Sequence, residues 1–118
     1  MFLNEKQLQT LIMQELDYLG KLTDKFFAYH TANEGKRTIS YGRSLKRQGM
    51  KAGVADITLM INGGITIYLE IKTEKGKQSK SQKEFEEICK KRGFPYYVVR
   101  SIEDVKLILK KYNCLKKN

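Results

Sequence analysis

Residues Val54–Lys72 read VADITLMINGGITIYLEIK, two alternating apolar and polar runs around Asn62-Gly63-Gly64. Ile65, Ile67, Leu69 and Ile71 fall on one side of an extended chain; Thr66, Tyr68, Glu70 and Lys72 fall on the other. In Val54–Ile61 the same rhythm sets Ala55, Ile57, Leu59 and Ile61 against Asp56, Thr58 and Met60. The Asn-Gly-Gly link is hairpin chemistry. A three-residue loop there pairs Ile61 with Ile65, Leu59 with Ile67 and Ile57 with Leu69. A slip by one residue sets Ile57 against Glu70 and throws the two patterns onto opposite faces. In the favoured register Asp56 lies across from Glu70, with Cβ atoms about 4.5–5.5 Å apart.

Two carboxylates that close repel unless a cation lies between them. Lys72 projects from the same face as Glu70. A divalent ion held by Asp56 and Glu70, with Lys72 beside it, resolves the repulsion. All-oxygen ligation points to Mg²⁺ or Mn²⁺. Such a site activates water and polarises a phosphoryl group, and Lys72 orients the water or offsets charge growing on the phosphate. Glu-x-Lys by itself is common on surface strands. Asp56, fourteen residues upstream across a hairpin, is what turns it into a candidate site.

Outward from the hairpin, Asn4 with Gln7 forms a capping box, and Leu8, Leu11, Ile12, Leu16 and Leu19 follow at helical spacing, with Gly20 as a stop. Lys25–Thr31 is expected to be a strand. Ala32–Ala52 is expected to be an extended loop, long enough to signal function or disorder. After a polar loop, Thr73–Lys80, Ser81 with Glu84 caps a helix ending at Gly93. Pro95–Arg100 makes a last strand, and Ser101 caps a helix running through Tyr112. The order α-β-β-β-α-β-α describes an α/β fold around a mixed sheet, with all of residues 1–118 in one domain.

Gln82 shares a helical face with Phe85, Cys89 and Arg92, so its amide points toward the sheet and needs a partner. An active-site water, a phosphate or a backbone carbonyl would each serve. Glu5 and Glu15 both lie beside apolar stripes of the first helix, and either can bring a third carboxylate over the sheet. His30, the only histidine, ends the first strand and is open to a metal or phosphate contact or to a purely structural one.

Charge names the partner class. Lys and Arg number 23 against 13 Asp and Glu, a formal net charge of +10, which suits a polyanion. Lys36, Arg37, Arg43, Lys46, Arg47 and Lys51 occur with no acid between them, an arm suited to phosphates. Tyr41 within it can stack on an unpaired base or serve as an ordinary loop residue. Lys75, Lys77, Lys80 and Lys83 offer further backbone contacts, and Lys106, Lys110, Lys111, Lys116 and Lys117 form a second basic cluster. No apolar run approaches the roughly 20 residues of a membrane span. The N-terminus lacks the layout of a signal peptide, and Cys89 and Cys114 lack metal spacing; a cytoplasmic protein with free thiols is expected. Neither a Cys/His pair nor a Ser/His/Asp set is offered for nucleophilic catalysis.

Asp56, Glu70 and Lys72 together resemble the PD-(D/E)xK nuclease core, whose α-β-β-β-α-β order also matches. More specifically, the chain resembles the VRR-NUC branch. Its motifs correspond here to Glu5-Lys-Gln-Leu8-Gln9, Gly53-Val54-Ala55-Asp56, Glu70-Ile71-Lys72, Ser79-Lys80-Ser81-Gln82 and Val98-Val99-Arg100-Ser101. Ala55 stands where the family usually has proline. The resemblance covers nearly the whole chain. It implies a restriction-endonuclease-like core with an extra C-terminal helix. It also implies a site of Glu5, Asp56, Glu70, Lys72 and Gln82, with Glu5, Asp56 and Glu70 on the metal, and so favours Glu5 over Glu15. Stand-alone members of this kind are virus- or bacterium-like homodimers that cut branched DNA such as Holliday junctions, which implies a place in DNA repair. Two rival classes compete with a nuclease. One is a non-catalytic nucleic-acid-binding module on the same scaffold; the other is an interaction protein whose basic surface docks an acidic partner. Within the enzyme class the nearest alternative substrate is RNA.

Overall fold

Four strands form one mixed sheet in the order β1-β2-β3-β4: β1 Phe26–His30, β2 Ile57–Ile61, β3 Ile65–Ile71 and β4 Tyr96–Val99. The computed structural model describes residues 2–32 and 38–117. β1 runs antiparallel to β2 and β2 to β3, whereas β3 and β4 are parallel. A parallel pair needs a crossover, and helix α3, Lys80–Arg92, supplies it. The hairpin has the expected register, with Ile61 opposite Ile65, Leu59 opposite Ile67 and Ile57 opposite Leu69. Gly63 and Gly64 take φ of 93° and 86°, which side-chain-bearing residues resist.

Helices α1 (Glu5–Thr23) and α4 (Ile102–Lys111) contribute the main core together with one face of the sheet. Leu8, Ile12, Leu16 and Leu19 of α1 and Val105, Ile108 and Leu109 of α4 join Ile57, Leu59, Ile67, Leu69 and Ile71. Each of those strand residues is fully buried, and each such side chain contributes roughly 1.5–3 kcal/mol by leaving water. The opposite face carries Tyr68 and Glu70. There α3 lays Phe85 edge-on against Tyr68 and near Tyr96, with ring centroids 5.4 and 6.1 Å apart.

Four local expectations are corrected. Gly20 does not stop α1, which runs on to Thr23 and ends at Asp24 in the left-handed region. A Cβ at Gly20 would lie 3.0 Å from the Phe26 carbonyl oxygen, so this glycine serves the close approach of β1 to the helix. The segment expected as an extended loop contains helix α2, Ile39–Arg47, whose N-cap Thr38 accepts from the Tyr41 N–H. The helix α3 is capped by Ser79 with Gln82, not by Ser81 with Glu84. Finally, β2 starts at Ile57, so Val54–Asp56 lies outside the ladder. The element order thus gains one helix within the expected fold. Among the described residues no helix is long and apolar enough to cross a membrane. Cys89 and Cys114 are free and buried.

Candidate active site

Asp56 sits where the β2–β3 ladder ends, and its side chain replaces the missing backbone partner. Its Oδ2 accepts the Ile71 N–H at 2.7 Å. Its own carbonyl accepts from the Thr31 N–H at 2.9 Å and from His30 Nδ1 at 2.7 Å. A carbonyl only accepts, so Nδ1 carries the proton, and this contact gives His30 a structural role. Three residues upstream, Gly53 has φ of 80°, and its Cα faces the first turn of α3. A Cβ built there would lie 2.3 Å from the Ser81 carbonyl carbon and oxygen. The segment leading to Asp56 is therefore clamped between β1 and α3.

Glu70 is wholly buried. Gln82 Nε2 donates to its Oε2 at 2.8 Å, and the Tyr96 hydroxyl donates to its Oε1 at 3.5 Å. Gln82 is held at its other end, where Oε1 accepts the Ser79 N–H at 2.8 Å. The capping box thus both starts α3 and aims an amide at the carboxyl group. Lys72, only 7% exposed, sets its Nζ 3.8 Å from Glu70 and 3.7 Å from Glu5. Glu5 arrives from the first turn of α1, fixed by the reciprocal Asn4–Gln7 cap.

The Lys72 ammonium meets the carboxyl groups of Glu5 and Glu70, and Glu70 and Asp56 are deeply buried. Burial first, then the hydrogen bond and charge of Asp56, push Glu70 from its ordinary 4.5 up to about 9. Without an ion, Glu70 therefore carries a proton near neutrality. Burial likewise keeps the Tyr96 phenol above its usual range, so it remains a donor. A pH dependence follows. Between about 4.5 and about 9 the folded, metal-free protein keeps a proton that the unfolded chain has released. That stabilisation is complete below the window and drains away as pH rises through it, by up to about 1.4 kcal/mol per pH unit. Urea midpoints in chelator are expected to fall from pH 6 to pH 9; a flat or rising trend would contradict the buried proton.

The donor set suits a hard divalent cation. One oxygen each from Glu5, Asp56 and Glu70 lies within 4.8 Å of the others. Ligand oxygens about 2.1 Å from a shared Mg²⁺ stand at most ~4.2 Å apart, so small side-chain rotations suffice. An ion there would displace the proton and offset the cost of the buried negative charge.

All five residues expected at the site, Glu5, Asp56, Glu70, Lys72 and Gln82, converge in space. Of the two candidate glutamates on α1, Glu5 joins the cluster. Gln82 finds a carboxylate rather than the water, phosphate or carbonyl considered for it. Lys36 and Arg37 lie outside the described residues. Arg43, Lys46 and Arg47 stand on α2 at spacings that bring them to one side, and all are exposed, as are Lys51, Lys75, Lys77, Lys80 and Lys83. Tyr41 on α2 is also exposed. Lys111, from the second basic cluster, packs 5.6 Å from the centre of the Tyr97 ring.

Two contributors escaped sequence reasoning. Tyr96 reaches Glu70 because the parallel register places it beside Tyr68, on the Glu70 side of the sheet. Arg100 Nη1 donates to the carbonyls of Thr73 (2.5 Å), Glu74 (3.2 Å) and Gly76 (2.9 Å), pinning the turn that follows Lys72. The charge of Arg100 hinted at a role, but neither partner set is visible without the β3–β4 pairing.

Comparison with known proteins bears on the family and the fold. The profile of the VRR-NUC domain matches residues 3–103. One solved structure, described as a VRR_NUC domain protein, superposes with a TM-score of 0.71 at 22% identity, covering 95% of this chain and 89% of its own. Another, described as a VRR_NUC domain, gives 0.61 at 21% identity over 92% of this chain and 96% of its own. At these identities the structural matches speak for the fold alone. No curated protein matches the sequence.

Proposed function

The chain belongs to the VRR-NUC domain family, a nuclease-like family, and from that premise we propose that it is a metal-dependent endonuclease hydrolysing DNA phosphodiesters. The observation that carries this reading is the convergence of Glu5, Asp56 and Glu70 around one point with Lys72 alongside. Asp56, Glu70 and Glu5 would hold Mg²⁺ or Mn²⁺, the hard ions their oxygens prefer. A bound ion supplies Lewis acidity and makes water nucleophilic near neutral pH. Lys72, its charge fixed between two carboxylates, offsets negative charge growing on the phosphate and orients the attacking water. Gln82 keeps the Glu70 carboxylate in a single orientation, and its anchor at Ser79 makes that orientation rigid. Asp56 is held equally firmly by the Ile71 N–H. Both carboxylates are therefore set before substrate arrives, which lowers the reorganisation needed during reaction.

The exposed cations of α2 and of the Lys75–Lys83 segment would grip the DNA backbone through a salt-sensitive contact. We extend the reading to branched DNA, including four-way junctions, and to a homodimer. Two symmetric sites suit two symmetric strands, and the whole chain would act as one nuclease domain.

The test compares wild type with Lys72→Ala on labelled four-way junction, flap, linear duplex and RNA in Mg²⁺ or Mn²⁺. The variant is expected to cut roughly 10²-fold more slowly while binding as before. Equal trace cutting by both proteins would indicate a contaminant. Salt-sensitive binding without cutting would leave a binding module. Cutting of RNA in preference to DNA would move the substrate class, and sedimentation of the free protein reads the dimer.

A further inference from the structure

Between the end of α2 and the outer side of α3 runs a groove of about 640 Å³, within the range of small-ligand sites. Its apolar lining comes from Met50, Phe85 and Ile88, with Ile88 still 48% exposed. Lys46, Lys51 and Arg92 also line it, against one acid, Glu84. The groove adjoins the carboxylate cluster. Val54 and Ser81 line it, while Asp56, two residues beyond Val54, and Gln82, the residue after Ser81, belong to the cluster. The Gly53–Ser81 contact closes the wall between them.

Apolar surface bordered by cations selects a ligand with a flat apolar part joined to an anion. We propose that this groove receives an unpaired nucleotide of the DNA substrate beside the scissile phosphate. Its base would lie on Met50 and Ile88, with its phosphate against Lys46, Lys51 and Arg92. A base inside a duplex is stacked on both faces and offers only its edges, whereas one swung out has a face to bury. The charge balance favours this occupant over an acid-poor protein surface, and Val54 and Ser81 place the groove on the same two segments that carry Asp56 and Gln82. The proposal rests on the nuclease reading for the identity of its substrate.

The test measures binding in Ca²⁺, with cleavage measured separately in Mn²⁺. The probes are a flap with a fluorescent adenine analogue in its unpaired arm, the same flap with an abasic position there, and a linear duplex. Ile88→Ser and Met50→Ser, checked for folding by circular dichroism, are each expected to weaken flap binding roughly tenfold and to leave duplex binding nearly unchanged. Removing the base should weaken wild type by a similar factor and add nothing to either variant. Equal losses on every probe, or no loss, would overturn the groove assignment. A changed sedimentation of the free variants would also overturn it, assigning the groove to a protein contact. Flap preference that survives in a protein unable to cut would sink the nuclease reading and keep the groove; cutting with variant-insensitive binding would do the reverse.

Discussion

Glu70→Gln is expected to cut DNA at least ~10³-fold more slowly than wild type while folding as stably at pH 7. The two halves of that result have one cause. Without an ion, Glu70 is pushed up to about 9 by burial and by Asp56, so near neutrality its carboxyl group is protonated. Glutamine copies that neutral state. Its carbonyl oxygen can accept from Gln82 Nε2, as Glu70 Oε2 does at 2.8 Å, and its amide can donate toward Asp56. A neutral amide cannot complete the anionic ligand set, so the metal-dependent activity is lost without loss of fold. Above pH 8 in chelator the variant should be more stable than wild type, because it has no proton to lose. Divalent ions should raise the melting temperature of wild type and leave the variant almost unmoved. These outcomes are read by thermal melts with and without Mn²⁺ alongside the cleavage assay. A variant that cuts normally, or that unfolds at pH 7, would refute the assignment.

Gly53→Ala should be the most damaging small substitution among the described glycines. At Gly53 the left-handed φ of 80° coincides with a would-be Cβ only 2.3 Å from the Ser81 carbonyl and 2.8 Å from the Gln82 nitrogen. These are backbone atoms of a capped helix and cannot swing aside. Relief requires α3 to move from the sheet or Val54–Asp56 to shift, and each disturbs Asp56 or Gln82. A loss of about 3 kcal/mol or more is expected, with cleavage falling further than stability explains. Gly63→Ala is the matched control: its φ is 93°, but nothing lies within 4 Å of its Cβ. It should cost only about 1–2 kcal/mol for the left-handed backbone and leave activity intact. Similar losses for both variants in urea titrations would show that backbone conformation, not the contact with α3, governs Gly53.

The hairpin was legible because its alternation admits one register that buries Ile57, Leu59, Ile61, Ile67, Leu69 and Ile71 on one face, and the opposition of Asp56 to Glu70 followed from it. What the alternation could not reveal is that Asp56 stands just past the ladder and caps it with its own carboxylate. Periodicity sees side chains, not the backbone N–H of Ile71 waiting for an acceptor. Helix α2 was missed for a related reason. It has no buried residue, so no apolar stripe marks it, and only Thr38 announces its start. Ser81 with Glu84 reads as a capping box in the sequence, whereas Ser79 with Gln82 is the first of the two overlapping sets. The first wins because it lets one side chain, Gln82, satisfy both the helix end and Glu70. Tyr96 and Arg100 depend on how far α3 carries the chain before β4 docks, a tertiary quantity that local pattern does not encode.

The acidic cluster draws on residues far apart in the chain, with Glu5 first, Asp56 next and Glu70 last. During synthesis on a ribosome, the partial products hold their acids on unconnected segments. Only when β3 has paired with β2 and α1 has packed on the sheet can the three acids converge. The three acids therefore meet only as a product of folding, and any chemistry that rests on them begins with the folded domain.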